Sequence, residues 1–206
     1  MTDQLQTLRE DISFLKALAL EERSPALLGG SVLVAAGSVY GLASLAHWGL
    51  VTGLIPATTP WVFPALWGAA TVVFLAILAV IRRRLRGAKA IGAANRASGV
   101  AWQGVGWTIF TLAACIGVVA WRVHSDAPTL LFPPITLALY GLAWMVAAAV
   151  SRERWMGLAA AGSYGAALLT ALLCASPAVF LVYAGALALL AIVPGLAMIR
   201  RARAGA

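Results

Sequence analysis

Long apolar runs separated by short polar interruptions dominate the chain. Six runs reach the roughly 20 mostly apolar residues that a helix needs to cross a hydrocarbon core. They extend from Leu27 to Leu50, Trp61 to Ile81, Ala101 to Trp121, Pro128 to Val150, Trp155 to Cys174 and Pro177 to Ile199. None holds Asp, Glu, Lys or Arg in its interior. The links between them are short, so the spans are expected to pair as antiparallel hairpins. The pattern predicts an all-α membrane protein, a bundle of six transmembrane helices over residues 25–200 with a basic tail at 201–206.

The first 24 residues follow another rule. Leu5, Leu8, Ile12, Leu15 and Ala19 recur at intervals of three and four, placing them on one stripe of a helix. Thr2 or Asp3 is suited to cap the start, and Ser24-Pro25 is expected to end the helix before the first span. The segment is charged throughout, unlike a signal peptide, which opens basic and then turns apolar.

The even spans open alike: "TPWVFPALWG" from Thr59, "APTLLFPPITLALYG" from Ala127 and "SPAVFLVYAG" from Ser176. Each has a proline near the boundary and an aromatic followed by Gly, or by Ala-Gly, deeper in. A weak threefold hairpin repeat is one reading. The suitability of proline for a first helical turn is the other.

Composition agrees with the pattern. Of the 206 residues, 62% are apolar and only 11% are charged, too few to cover a soluble domain, in which about 25% is usual. Mean hydropathy is +0.92. The net charge of +8 does not point to nucleic acid, because the basic residues sit at the ends of apolar runs, where anionic lipid attracts them. Fourteen of the fifteen fall on one side of the bundle if the spans alternate; Arg122 alone falls on the other. The segment Ile81–Arg96 holds six, among them Arg82, Arg83, Arg84 and Arg86. By the positive-inside rule that side is cytoplasmic. Both termini and the N-terminal helix are then expected in the cytoplasm, with the bundle in a bacterial-type inner membrane. Trp48, Trp61 and Trp121 fall near the outer boundary and Trp102 and Trp155 near the inner one, as an aromatic belt requires. Trp67, Trp107 and Trp144 lie deeper and are expected between helices.

Candidate chemistry is sparse. Intramembrane charges usually mark ion paths and proton relays; their absence argues against pumps, proton-coupled carriers and most intramembrane hydrolases. Cys115 and Cys174 lie in apolar runs and form no metal or disulfide pattern. His47 and His124, with Asp126 near the second, fall close to the outer boundary. They read either as a small metal or pH-sensing site or as interfacial polar residues. A haem-bearing pair would need histidines inside the helices, and no cofactor is expected. Gln103, Thr108 and Thr111 on span three, with Ser38, Tyr40, Ser44, Ser163, Tyr164 and Thr170 on spans one and five, are suited to a polar path for a neutral solute or to hydrogen bonds between helices. Gly37 and Gly41 form GxxxG, a close-packing face.

The string "PWVFPALW", Pro60 to Trp67, resembles the opening of the second helix in tryptophan-rich sensory proteins, the translocator family. The resemblance covers eight residues and would imply porphyrin or sterol binding. That family has five helices, and its other motifs find no match here.

The N-terminal helix carries −2 over residues 1–23. A helix that lies on anionic lipid is normally basic on its polar face, so a protein surface suits this one better. The expected function is non-enzymatic: a regulatory, sensory or accessory membrane subunit working through protein contacts, with a partner or a second copy held by the Leu5–Leu15 stripe and the Arg82 loop. Passive transport or binding of a small neutral or apolar solute is the alternative.

Overall fold

The computed structural model describes the backbone of residues 2–56, 59–85 and 93–204, and side chains at residue 12 and over 28–56, 59–85 and 97–204. Seven helices account for most of it: α1 (Thr2–Val51), α2 (Val62–Arg84), α3 (Ala93–Val123), α4 (Phe132–Ser151), α5 (Arg154–Leu172), α6 (Ala178–Leu187) and α7 (Val193–Ala204). A 3-10 turn, Ala127–Leu131, precedes α4, and a π-turn, Ala188–Ile192, joins α6 to α7 into one span. Six helical stretches are long and apolar enough to cross a membrane: Leu28–Val51, Val62–Arg84, Ala97–Val123, Ala127–Ser151, Arg154–Leu172 and Ala178–Ala204. No strand occurs among the described residues.

The expected helix stop at Ser24-Pro25 is not observed, because α1 continues through it to Val51. Proline removes one backbone hydrogen bond, but its fixed φ is compatible with a helix. Gly29-Gly30-Ser31 follows it, and these three residues stay helical as well. At the edge of a span, unpaired backbone costs more than a local helix defect.

Spans one and six form the central pair. Partner numbers fall as span one advances, which makes the two antiparallel. A Cβ at Gly30 would lie 2.7 Å from the Gly195 carbonyl oxygen, one at Gly37 2.7 Å from Ile192 Cγ1, and one at Gly41 4.0 Å from the Ala184 carbonyl. Ser44 Oγ then donates to the Phe180 carbonyl at 2.9 Å. The GxxxG of span one is therefore a packing face, extended one further heptad to Gly30. Without glycine at both Gly30 and Gly195 the two backbones would not approach this closely.

Spans four and five make the second tight pair. Arg152 caps α4 in the left-handed conformation, its N–H bonded to the Ala148 carbonyl at 2.9 Å, and α5 starts two residues later. Gly141 leaves room for the Tyr164 ring, which a Cβ would approach to 2.7 Å.

The spans are not equally buried. Over an 18-residue apolar stretch of each, spans four and six have 44% of positions buried, whereas spans two and three have 6%. Span two packs on span one and span three on span four, at the edges of the bundle. The even spans, which open alike in sequence, thus differ in burial. Proline near the start of each is suited to a first helical turn.

The core is a column of small residues and a few large ones, including Leu137, Trp144, Tyr183, Leu187 and Ala191. The outer surface is apolar too. Leu42, Val72, Val100, Leu158, Leu168 and Leu189 are each at least 67% exposed. Exposed apolar area on this scale suits contact with lipid rather than with water.

Candidate functional site

Three arrangements gather the polar and aromatic side chains, and each needs residues from more than one span.

The first lies toward the end that holds the C-terminus. Trp144, 1% exposed, donates its indole N–H to the Leu190 carbonyl at 3.0 Å. In an α-helix that carbonyl would receive the N–H of residue 194, which is proline. Proline has no N–H, and its ring pushes the carbonyl four residues earlier off the axis. The backbone answers with a π-turn in which the Val193 N–H reaches back to the Ala188 carbonyl. The displaced Leu190 oxygen is taken by Trp144 instead. Around this bond Trp102 meets Tyr140 and Trp144 edge-on, at centroid distances of 5.4 and 5.1 Å. Trp155 meets Trp144 at 5.6 Å. Arg201 lies 5.6 Å over the Trp155 ring and 3.6 Å from Glu153. The Trp155 indole N–H is buried and has no acceptor among the described residues.

The second lies at the opposite end, on the inner side of span two. His47 Nδ1 accepts the Trp67 indole N–H at 2.9 Å. The ring stacks on Phe180 at 3.9 Å and leans against Phe63 at 4.8 Å. A nitrogen that accepts carries no proton, so the imidazole here is the neutral form protonated on Nε2. His47 therefore joins spans one, two and six.

The third is an open groove at the same end, between the start of span two and the end of span three. Trp61 and Pro64 at the start of span two, Gly117, Ala120 and Trp121 of span three, and His124, Ser125 and Asp126 just beyond them line it. Its volume is about 480 Å³. His124 has a φ of 50°. The Ser125 N–H bonds to the Ala120 carbonyl at 3.1 Å and the His124 N–H to the Trp121 carbonyl at 3.4 Å. This is the Schellman cap of α3, with histidine where glycine is usual.

The histidines are thus in separate settings: His124 and Asp126 share the groove, while His47 is held by aromatic rings. No group of three or more His, Cys, Asp or Glu side chains suited to a metal occurs among the described residues. Gln103, Thr108 and Thr111 lie on the exposed face of span three. Thr108 and Thr111 donate back to the carbonyls of Gly104 and Trp107 at 2.9 and 3.0 Å. Among the described residues neither threonine bonds another helix. Trp107 is 69% exposed and faces outward, not between helices. Ser163 and Thr170 are buried and bond carbonyls of their own helix.

Arg82, Arg83 and Arg84 form the exposed last turn of α2. Leu75, Leu78 and Ala79 with Arg82 and Arg83 line a shallow second groove there. Arg86 lies outside the described residues. Leu5, Leu8, Ile12 and Leu15 are on the N-terminal extension of α1; the Ile12 side chain is exposed, and the side chains of the other three lie outside the described residues.

Three relationships appear only in the folded chain: Trp67 as the partner of His47, Pro194 as the cause of the Trp144 bond, and Trp61 and Trp121 on one groove. Only Pro194 left a trace in the sequence, as a proline deep in an apolar run.

No protein-family model, curated protein or solved structure matches the chain. The likeness of Pro60–Trp67 to the translocator family is not extended by any match. Within that stretch Phe63 and Trp67 serve to hold His47, and Trp61 and Pro64 line the groove.

Proposed function

We propose that the protein is a non-enzymatic integral membrane protein of a bacterial-type inner membrane, with both termini cytoplasmic, that works through protein contacts as a regulatory, sensory or accessory subunit. The observation that carries this reading is where the polar groups end up. Inside the spans they are used for packing: Ser44 on Phe180, Trp144 on Leu190, Trp67 on His47, and the threonines on their own helices. Among the described residues no nucleophile, base and orienting group converge. The two hollows described above are open grooves on the surface, which favours contacts over passage of a solute through the bundle. The charge lies beyond the bundle, in the extension of α1 and in the arginines that end α2. Fourteen of fifteen basic residues on one side support the cytoplasmic placement of both.

The apolar stripe of α1 provides the contact. Burying each leucine or isoleucine there contributes about 1.5 to 3 kcal/mol. Ion pairs with the Arg82 loop add only about 0 to 1 kcal/mol each and weaken with salt. The test is Leu8→Asp with Ile12→Asp in the full chain, purified in mild detergent. Six-span folding should survive, and a co-purifying protein or a homo-oligomer should be lost. If only protease protection of residues 1–23 is lost, the stripe packs on its own bundle. If protection and association both survive, the reading fails.

A further inference from the structure

We propose that the groove between Trp61 and Trp121 binds the ammonium group of a zwitterionic phospholipid headgroup in the outer leaflet. The inference rests on the membrane placement proposed above, not on the partner role of the N-terminal helix.

The chemistry of the lining selects the ligand. Trp61 and Trp121 are 78% and 71% exposed and present two indoles to one hollow of about 480 Å³. Indole faces attract organic cations more strongly than other aromatic rings do. Asp126 supplies the one formal negative charge on this side of the bundle. Among the described residues its carboxylate has no ion-pair partner, and Arg122 does not line the groove. A carboxylate in a hollow that two tryptophans also line favours an ammonium ion over phosphate or a neutral sugar. Gly117 and Ala120, one turn apart, also line the groove and contribute little side-chain bulk.

The location selects the source. The groove lies at the ends of two spans, at the level where tryptophans meet headgroups, and opens on the outer edge of the bundle. A lipid ammonium is present there permanently.

His124 supplies the independent observation. Its left-handed backbone would suit glycine better, yet a side chain stands there and lines the groove beside Asp126. The cap alone does not require an imidazole. We therefore assign His124 a positioning role beside Asp126.

The test uses the full-length protein in a maltoside detergent, which carries no ammonium. Binding of short-chain phosphatidylethanolamine, short-chain phosphatidylglycerol and choline chloride is measured by calorimetry. Saturable binding of the ethanolamine lipid, at least roughly tenfold tighter than the glycerol lipid, is expected. Asp126→Asn should weaken it roughly tenfold while leaving thermal stability unchanged, since no other described residue bonds the Asp126 side chain. Trp121→Ala should also weaken it. His124→Gly should weaken binding while keeping or raising the melting temperature, which a purely structural role would not do. Equal binding of the two lipids, or an unchanged affinity in Asp126→Asn, overturns the proposal. Choline binding as tight as the lipid overturns the lipid source. None of these outcomes bears on membrane orientation, which the labelling experiment in the Discussion reads separately.

Discussion

Trp144 and Leu190 are joined by a hydrogen bond from the indole N–H to the backbone carbonyl, 3.0 Å long, and Pro194 is the reason that carbonyl is free. The bond fastens span four to the middle of span six at the point where the latter changes helical pitch. In a bundle that lacks interior charges, this repair of a proline defect by a neighbouring tryptophan is one of the few specific polar contacts between spans.

A double-mutant cycle separates this contact from simple packing. Trp144→Phe should destabilise the detergent-solubilised protein by about 1 to 3 kcal/mol, the cost of leaving a buried carbonyl unpaired. Pro194→Ala restores the missing N–H. In that background Trp144→Phe should cost distinctly less, read as melting temperatures of the four proteins. Equal costs in both backgrounds would show that the tryptophan acts only by filling space.

The close crossing of spans one and six makes a graded prediction about glycines. Gly30→Ala and Gly195→Ala each place a methyl 2.7 Å from a backbone oxygen, and should cost about 1 to 3 kcal/mol through overpacking. Gly104→Ala and Gly106→Ala meet nothing within 4 Å. They should be neutral or stabilising by up to about 1 kcal/mol, because alanine is the better helix former. Thermal unfolding of the four variants ranks them.

The two histidines should respond differently. His47→Ala leaves the Trp67 N–H without its acceptor and removes the stack on Phe180. The combined loss should be about 1.5 to 4 kcal/mol. His124→Ala should change stability by less than about 1 kcal/mol. Neither should alter the metal content of the purified protein by elemental analysis. Indistinguishable stabilities would mean that His47 does not join the spans as described.

Orientation is read by labelling. With Cys115 and Cys174 replaced by alanine, a cysteine at the exposed Arg84 should react with a membrane-impermeant maleimide only in opened cells. One at exposed Ser125 should react in intact cells with a permeable outer barrier. The reverse pattern would overturn the cytoplasmic placement of the basic residues.

The sequence by itself determined the number and position of the spans, the uneven distribution of charge along the chain, and the packing role of Gly37 and Gly41. These follow from local composition. Bilayer thickness fixes the length of an apolar run, and desolvation keeps arginine out of it. Which face of each span looks inward was decided only by the tertiary structure. In water an apolar stripe marks the buried face; in lipid both faces are apolar and the signal vanishes. Hence Trp107 turns outward and Trp144 inward, although both lie deep in apolar runs, and Leu168 is exposed where Leu137 is fully buried. The same holds for the sites. His47 was visible as a residue but not its Trp67 donor, because that bond exists only once spans one and two are packed. The groove needs Trp61 from one helix and Trp121 from another. Its cap residue, His124, adopts a backbone conformation that only the folded chain end of α3 imposes.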